Sequence, residues 1–440
     1  MKFQLMQSND YLITHSGLAI IGQLLSQTQL GKRISDSIIK ECPQPYVSNR
    51  DIVFSYIGLL CQGKNDFEAI EAFRKDKFFA RALGTNKIPS CSIMRQRFDF
   101  AGQQWNDIIL DESAKLLSKV EVNVTPCYDN YVPLDIDVSP FDNSNTKKEG
   151  VSYTYKGFDG YAPIFAYLGK EGYCVNAELR TGSTHCQAKT PEFIRNAILY
   201  SKMITNKPIL ARLDSGNDSF DNIEVCLSEE TYVDFIIKRN LRKESKKAWV
   251  LIAEEHGIKN EVRDGKSEYI GEVYTKVKNV NEKVRMVFQV IVRTTTAEGQ
   301  VLLEPDIEVN TWWTSLTIPA ENVIKLYCDH GTSEQFHSEL KTDLDIERLP
   351  SGKFSTNDLI LHLGVFAYNL LRMIGQESIK TDDSPIKRKV TRRRLKTIIQ
   401  NYITLASRMV YHARRYFLKF GCQSPWFSSF QRVYMAFSCG

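Results

Sequence analysis

The hydrophobic and polar positions follow a helical pattern at the start of the chain. From about Ser8 to Ser118, apolar residues recur at spacings of three and four, without a convincing alternating strand. A helix start is predicted within this stretch, with Ser90 or Ser92 as the N-cap. Arg95 and Arg97 follow on its first turns, where they would either contact phosphates or form a solvated basic face.

The pattern changes to alternation of period two near Pro126. Between Val132 and Ser139, apolar side chains alternate with Asp135, Asp137 and Ser139, which predicts a strand. The elements predicted next are strands at 162–168 and 173–179, a helix from Thr190 to about Met203, and a buried strand that ends at Asp214-Ser215-Gly216. Three strands, a helix and a strand, with acids on the first and last strands, is the order of a ribonuclease-H-like core.

Residues 232–316 have an almost entirely β pattern. The runs are Val233–Lys238, Ala248–Ala253, Tyr269–Val277, Val284–Thr294 and Ile307–Trp313. Helical periodicity returns at Pro319, and a basic helical stretch is predicted from Lys387 to about Phe420. We therefore expect an α/β protein with a helical N-terminal domain (1–125), a ribonuclease-H-like core in two parts (126–231 and 317–380), a β-rich insertion (232–316) and a basic helical C-terminal region (381–440).

Composition and charge narrow the classes of function. Apolar residues make up 42% and charged residues 25%, as in an ordinary folded protein. The apolar stretch Leu359–Leu371 is shorter than the roughly 20 residues of a membrane span, and the amino end lacks a secretory pattern. The ten cysteines show no Cys-x-x-Cys pair, so zinc and disulfide frameworks lack support. The net charge is only +5, but seven of the ten residues Lys387–Lys396 are basic, which favours a polyanion partner.

Three acidic residues on separate predicted elements suggest phosphoryl-transfer chemistry. Asp137 lies on the first core strand, Asp214 follows the fourth, and Glu334 lies on the helix after the β-rich segment. In a ribonuclease-H-like core these places converge, and carboxylates there can hold two Mg²⁺ ions about 4 Å apart. Asp135 is the alternative to Asp137, and Glu339 is the alternative to Glu334.

The surroundings of Glu334 strengthen this hypothesis. Tyr327, His330, Glu334 and Lys341 are separated by three, four and seven residues, so a regular helix would place them on one face. A hydroxyl and an ammonium beside a metal-bound carboxylate would suit a DNA phosphate, although a solvated polar face has the same pattern.

The spacing Tyr327-x2-His330-x3-Glu334-x6-Lys341 resembles the tyrosine, arginine, glutamate, lysine signature of the cut-and-paste DDE transposases of bacterial insertion sequences. The resemblance extends to Leu134–Ser139, to Leu210–Gly216 with its Asp-Ser-Gly turn, to Gly58–Leu60 with Pro89-Ser90, and to the tail segments Arg393–Lys396 and Tyr411–Arg415. It implies that Asp137, Asp214 and Glu334 are the catalytic metal ligands, with Mg²⁺ as the cofactor and Mn²⁺ as a substitute.

The resemblance also implies DNA contacts. Tyr327 and Lys341 match residues that contact DNA near the active site, and His330 replaces the expected arginine with a group that titrates near neutrality. Trp312 and Trp313 are candidates for the aromatic residue that stacks on a flipped base during hairpin formation, although one could belong to the core.

In the tail, Lys387-Arg388-Lys389 and Arg392-Arg393-Arg394 would neutralise phosphates if they are not merely a solvated linker. The helical N-terminal domain and the basic C-terminal region together are then expected to recognise the terminal inverted repeats.

The function expected from the sequence is Mg²⁺-dependent cleavage at the ends of an insertion sequence and strand transfer into target DNA, through a hairpin. The partners are double-stranded DNA and a second copy of the chain on paired ends, in the bacterial cytoplasm at the nucleoid and without a membrane. The alternatives are a nuclease with the same core, which would not join strands, and a catalytically inactive, domesticated DNA-binding regulator.

Overall fold

A computed structural model describes residues 3–39, 46–278, 280, 283–386 and 390–438. The N-terminal part begins with a short strand, Leu12–Ile13 (β1), and continues as helices. These are Leu18–Ser26 (α1), Leu30–Asp36 (α2), Asn49–Leu60 (α3), Lys77–Ala82 (α4), Cys91–Ala101 (α5) and Asn106–Lys119 (α6). The helical prediction for this part is therefore confirmed. Ser90 caps α5 by accepting a hydrogen bond from the Ile93 amide at 3.3 Å, as predicted.

Both basic residues of α5 interact with the protein itself. Arg95 forms an ion pair with Glu68 at 2.7 Å, and Arg97 is buried. The proposed contact of this helix with phosphates thus gains no support from the structure.

A central mixed sheet contains the strands that the sequence predicted. Its first half is built from Val132–Val138 (β2), Ile164–Leu168 (β6), Tyr173–Glu178 (β7), Ile209–Leu213 (β8) and Asp234–Lys238 (β9), with the helices Thr190–Ile204 (α7) before β8 and Phe220–Leu227 (α8) before β9. Strand β6 is antiparallel to both β2 and β7, whereas β8 is parallel to both β2 and β9. A small sheet of Phe141–Asp142 (β3), Ser152–Tyr153 (β4) and Asp159–Tyr161 (β5) lies between β2 and β6 in the chain.

The β-rich segment extends the central sheet. Its strands are Gly257–Arg263 (β10), Lys266–Lys276 (β11), Lys283–Thr295 (β12) and Val301–Thr314 (β13), and the sheet order is β10-β11-β12-β13-β9-β8-β2-β6-β7. The run Val233–Lys238, expected within this segment, instead forms β9, which pairs in parallel with β8 of the first half. Strand β13 is antiparallel to β9, so the segment continues the central sheet edge to edge from that strand. The strand predicted at Ala248–Ala253 is wrong, because these residues lie in the helix Lys246–His256 (α9), which Ser245 caps.

Helices return after the sheet. They are Ala320–Cys328 (α10), a 3₁₀ turn at Asp329–Thr332, Ser333–Ser338 (α11), a π turn at Glu339–Asp343, a 3₁₀ turn at Ile346–Arg348, and Phe354–Ser378 (α12). Helix α12 is long and apolar enough to cross a membrane, but its apolar window is entirely buried inside the protein, as in a core helix.

The C-terminal region is only partly helical. It contains Leu395–Ile398 (α13), a π turn at Ile399–Ile403, the strands Ser407–His412 (β14) and Arg415–Lys419 (β15), and Phe427–Ser438 (α14). The predicted helix from Lys387 to Phe420 is therefore wrong over β14 and β15. Such a short alternation of apolar and basic residues does not distinguish a strand from a helix, and the turn at Ala413-Arg414 lacks the usual Gly or Asn of a hairpin.

Candidate active site

The sheet register brings Asp137 and Asp214 together. Ile136 of β2 pairs with Leu213 of the parallel strand β8, so the next residue on each strand is one of the two aspartates. The carboxyl ends of parallel strands form a common edge, where ligands of α/β sheets usually bind. The predicted pairing of these two acids is thus reproduced by the fold.

The pKa of Asp214 is affected by its neighbour Asp137. Burial and the negative charge of Asp137 raise the pKa of Asp214, against a hydrogen bond that Asn217 Nδ2 donates to Asp214 Oδ1 at 2.7 Å. Burial also raises the pKa of the Tyr155 and Tyr327 hydroxyls, with further contributions from the charges of both aspartates. The two carboxylates therefore form a compact negative centre flanked by two tyrosines.

Asp137 is held by its own strand and by a histidine. Its Oδ1 accepts a hydrogen bond from the Val138 amide at 2.7 Å, and His337 Nε2 lies 3.5 Å from its Oδ2. The His337 ring is buried against Phe165, and its Nδ1 lies 3.3 Å from the Tyr167 hydroxyl. His337 was not predicted as a site residue, although its position three residues after Glu334 on a helix was a usable signal.

Glu334 stands apart from the aspartate pair. It is exposed on α11, without an ion pair in the described part of the chain, and lines a cavity of about 700 Å³ with Arg392 and Arg394. Within the described residues, no three His, Cys, Asp or Glu side chains are arranged to hold a metal ion. The structure thus brings Asp137 and Asp214 together but does not bring Glu334 to them, and its role as third ligand stays a prediction.

The two alternative acids are both committed to buried ion pairs. Asp135 accepts two hydrogen bonds from Arg212, at 2.6 and 2.8 Å, and lies 3.0 Å from His330 Nδ1. Burial acts against its charge, but Arg212 and His330 hold the pKa of Asp135 below its usual value. Glu339 is buried and binds Arg372 at 2.8 Å. These partners favour Asp137 and Glu334 as the ligands.

The four signature residues do not share a face of one regular helix. Tyr327 lies in the last turn of α10, His330 lies in the 3₁₀ turn, Glu334 lies on α11, and Lys341 lies in the π turn. These changes of helix type rotate successive side chains away from a common stripe. The expectation of one regular helical face is therefore not met. Tyr327, His330 and Lys341 nevertheless all lie close enough to Asp137 for its charge to act on their pKa values, whereas Glu334 is exposed.

Two of these residues are bound within the protein. The His330 ring is buried against Tyr327 and Asp135, and although burial lowers its pKa, the charge of Asp135 raises it above the ordinary value. Lys341 Nζ donates a hydrogen bond to the Pro140 carbonyl at 2.6 Å and lies close enough to feel the charge of Asp137. Contact of Tyr327, His330 and Lys341 with DNA stays a prediction.

Trp312 and Trp313 are both buried, on opposite faces of β13. Trp313 Nε1 donates a hydrogen bond to Asp218 at 3.0 Å, and the Trp312 ring packs 5.9 Å from the Tyr327 ring. Because the sheet is covered on both faces here, neither indole offers a free face to a base. The expectation of an exposed stacking tryptophan was wrong.

Exposed aromatic side chains lie elsewhere near the pair. A cavity of about 740 Å³ beside Asp214 is lined by Tyr153, Tyr155 and Cys186, and both tyrosine side chains are exposed at its rim, although the hydroxyl end of Tyr155 is partly buried. The Tyr155 hydroxyl donates to the Val138 carbonyl at 3.2 Å, which fixes this ring beside the strand of Asp137. The sequence carried no signal for these residues, because they come from the end of the two-residue strand β4 and from two turns whose paths are set by tertiary contacts.

The arginines of the tail are bound to the core. Arg392 forms an ion pair with Glu339, Arg394 pairs with Asp343 at 2.9 Å, and Arg393 is buried against Ser384 and the Trp426 ring. These residues therefore do not form a free, solvated linker. Arg393 is buried and is not accessible to DNA in this structure. The basic residues 387–389 lie outside the described part of the chain.

Two carboxylates at the ends of adjacent parallel strands, flanked by hydroxyl, imidazole and ammonium groups, define a site suited to metal-dependent phosphoryl transfer. The chain belongs to the family described as transposase DDE domain group 1, whose profile matches residues 5–438. It is accordingly a DDE transposase, a metal-dependent enzyme that cleaves DNA.

Among solved structures, the chain is similar to the cryo-EM structure of a piggyBac transposase synaptic complex with hairpin DNA. The TM-score is 0.41 and the sequence identity is 11%, over 90% of this chain and 82% of that chain. No curated protein matches the chain.

Proposed function

We propose that this transposase cleaves both strands of DNA at the ends of an insertion sequence, through a hairpin, and joins the freed ends to target DNA. The observation that carries the proposal is the pairing of Asp137 and Asp214 at one sheet edge in a chain of the DDE family. Glu334 is the third member of the set, since it is exposed and forms no ion pair with any described residue, whereas the carboxylate of Glu339 is bound by Arg372 and Arg392.

The core is of the ribonuclease-H-like type in this proposal. Its support is the order β7-β6-β2-β8-β9, in which three antiparallel strands are followed by two parallel ones with a helix before each. The strands β10–β13 are then the β-rich insertion, placed between β9 and the helices that carry Glu334.

The donor set fits Mg²⁺, with Mn²⁺ as a substitute. Magnesium prefers carboxylate oxygens, and a divalent cation would offset both the burial and the negative charge of Asp137 that raise the pKa of Asp214. When bound, the metal would activate the attacking hydroxyl group and stabilise the leaving oxygen. The protein positions the ligands: the Val138 amide and His337 orient Asp137, and Asn217 orients Asp214.

The working state in this proposal is a homodimer on two paired ends, because cut-and-paste joining needs both ends at once. The place of action is the bacterial cytoplasm at the nucleoid, where the DNA substrate lies.

The test uses a labelled duplex taken from the DNA that flanks the gene, with a target plasmid. With Mg²⁺ we expect nicked and then hairpin-ended products, followed by joining to the plasmid, and no products with a chelator. Cleavage without joining would favour the nuclease. If the protein binds the duplex but cleaves it with none of the divalent metals, the result would favour the inactive regulator and contradict the proposal.

The raised pKa of Asp214 predicts a pH-dependent stability of the metal-free protein. Because the folded pKa lies above the unfolded value of about 3.9, the contribution of Asp214 to stability is full below that pH and is lost as the pH rises through the folded pKa. Asp214→Asn should therefore melt at a higher temperature than the parent at neutral pH in chelator, and the two should converge in acid.

Thermal melts with and without Mg²⁺ complete this test. Mg²⁺ should stabilise the parent by mass action and the variant much less. Equal melting of the two proteins at neutral pH, together with an equal response to Mg²⁺, would show that Asp214 is neither repelled by Asp137 nor a metal ligand. Asp159→Asn is the matched control, since Asp159 is exposed on the small sheet.

A further inference from the structure

The hairpin of β14 and β15 projects as a two-stranded ribbon. Its strands pair from Arg408↔Lys419 to His412↔Arg415, and the two-residue turn between them, Ala413-Arg414, has positive φ at both positions. Such a turn matches the twist of a hairpin. Strand β1 pairs with the base of β14 at residues 407 and 408, next to a hydrogen bond that the Met409 amide donates to the Tyr11 carbonyl at 2.9 Å, so among the residues that the structure describes the outer part of the ribbon has no third strand.

The ribbon carries only positive charge. Residues 407–419 include four Lys or Arg and no Asp or Glu. Arg408, at the base, pairs with Asp10 at 2.8 Å. Arg414, Arg415 and Lys419 are exposed and form no ion pair within the residues that the structure describes. Arg414 and Arg415 therefore form an unneutralised cationic tip, and Lys419 adds a positive charge at the base, opposite Arg408, in contrast to the ion-paired Arg392 and Arg394.

Aromatic side chains stiffen the ribbon. The Tyr411 and Tyr416 rings face each other across the strands at 4.6 Å, and the Arg81 guanidinium lies 3.8 Å above the Tyr416 ring. At the base, Ser16 Oγ donates to the Leu405 carbonyl at 2.6 Å and lies 2.8 Å from Ser407 Oγ. Cross-strand aromatic pairs stabilise hairpins, and these contacts anchor the ribbon on the N-terminal helices.

We propose that this ribbon enters the major groove of the duplex at the element end, with Arg414 and Arg415 against the DNA. The major groove admits a two-stranded β-ribbon, and unpaired arginines suit phosphates and base edges. The free edge of β15 carries Arg415 and Lys419, and such charges oppose pairing with a strand of another protein. The proposal rests on the proposed function, because it names the surface that holds the DNA to be cut.

The test compares DNA affinities over a range of salt concentrations for three full-length proteins. The ribbon variant is Arg414→Asn with Arg415→Thr, because Asn tolerates positive φ and Thr suits a strand. Lys246→Ala with Lys247→Ala removes the same charge from the exposed start of α9. The slope of log K against log salt is negative, and the ribbon variant should make it less steep by about 1.8, near 0.9 for each of two lost phosphate contacts, whereas the lysine variant should leave it unchanged.

Groove-specific competitors locate the contact. Methyl green, which occupies the major groove, should reduce the affinity of the parent to that of the ribbon variant, whereas netropsin in the minor groove should not. An unchanged slope in the ribbon variant overturns the proposal, and so does an equal change of slope in the lysine variant. The proposal also fails if netropsin, and not methyl green, lowers the affinity of the parent to that of the ribbon variant. If the parent binds through the ribbon but never cleaves, the proposed function fails while the ribbon assignment stands.

Discussion

Replacing Glu334 with Gln is expected to lower the rate of DNA cleavage by about 10³-fold or more, because metal-mediated charge stabilisation is worth several kcal/mol and each 1.36 kcal/mol is tenfold. The side chain is exposed and makes no ion pair in the described part of the chain, so its loss should leave the melting temperature and DNA binding unchanged. The measurement is single-turnover cleavage at saturating protein, beside a thermal melt of the same samples.

The neighbouring acid Glu339 provides the matched control. It is buried and accepts hydrogen bonds from Arg372 and the Leu395 amide, at 2.8 and 2.9 Å, and from Arg392. Breaking such a cluster leaves buried positive charge, so Glu339→Gln should lower the free energy of unfolding by about 3–5 kcal/mol. If Glu339→Gln remains stable but inactive while Glu334→Gln cleaves normally, the third ligand is Glu339.

The core strands were predictable because each carried a periodic signal along with its boundary residues. Strand β2 alternates apolar and acidic residues, and β8 is an apolar run that ends at the Asp-Ser-Gly turn. Helix α9 was missed, since a short apolar run such as Ala248–Ala253 reads equally as helix or strand. The ribbon was missed because its turn is formed by Ala and Arg in an uncommon conformation.

The site could be predicted from the sequence only where the arrangement of the strands follows from the local pattern of apolar and polar residues. Asp137 and Asp214 meet because two parallel strands are neighbours, which the element order implied. The surroundings depend on long-range packing: His337 reaches Asp137 from a helix two hundred residues later in the chain, and Trp312 and Trp313 are buried by layers that cover both faces of the sheet. Likewise, no local pattern distinguishes a solvated arginine from Arg392 paired with Glu339.

The second large effect, on both stability and cleavage, is expected from a buried network of ion pairs and hydrogen bonds beneath the site. Asp135 of β2 binds Arg212 of β8 and His330, and Arg212 Nη1 donates to the Leu326 carbonyl of α10 at 2.7 Å. The network therefore ties both aspartate strands to the segment that leads to Glu334. Asp135→Asn should lower the free energy of unfolding by about 3–5 kcal/mol, because Arg212 would then be buried without a counter-charge.

The double variant Asp135→Leu with Arg212→Met separates stability from positioning. Apolar residues often replace a buried ion pair without loss, so urea unfolding should show most of the stability restored. Cleavage should stay low at saturating DNA, since the contacts to His330 and the Leu326 carbonyl that join α10 to the strands are absent. Full cleavage by the stable double variant would show that the network supports the fold alone and does not position Glu334 relative to Asp137 and Asp214.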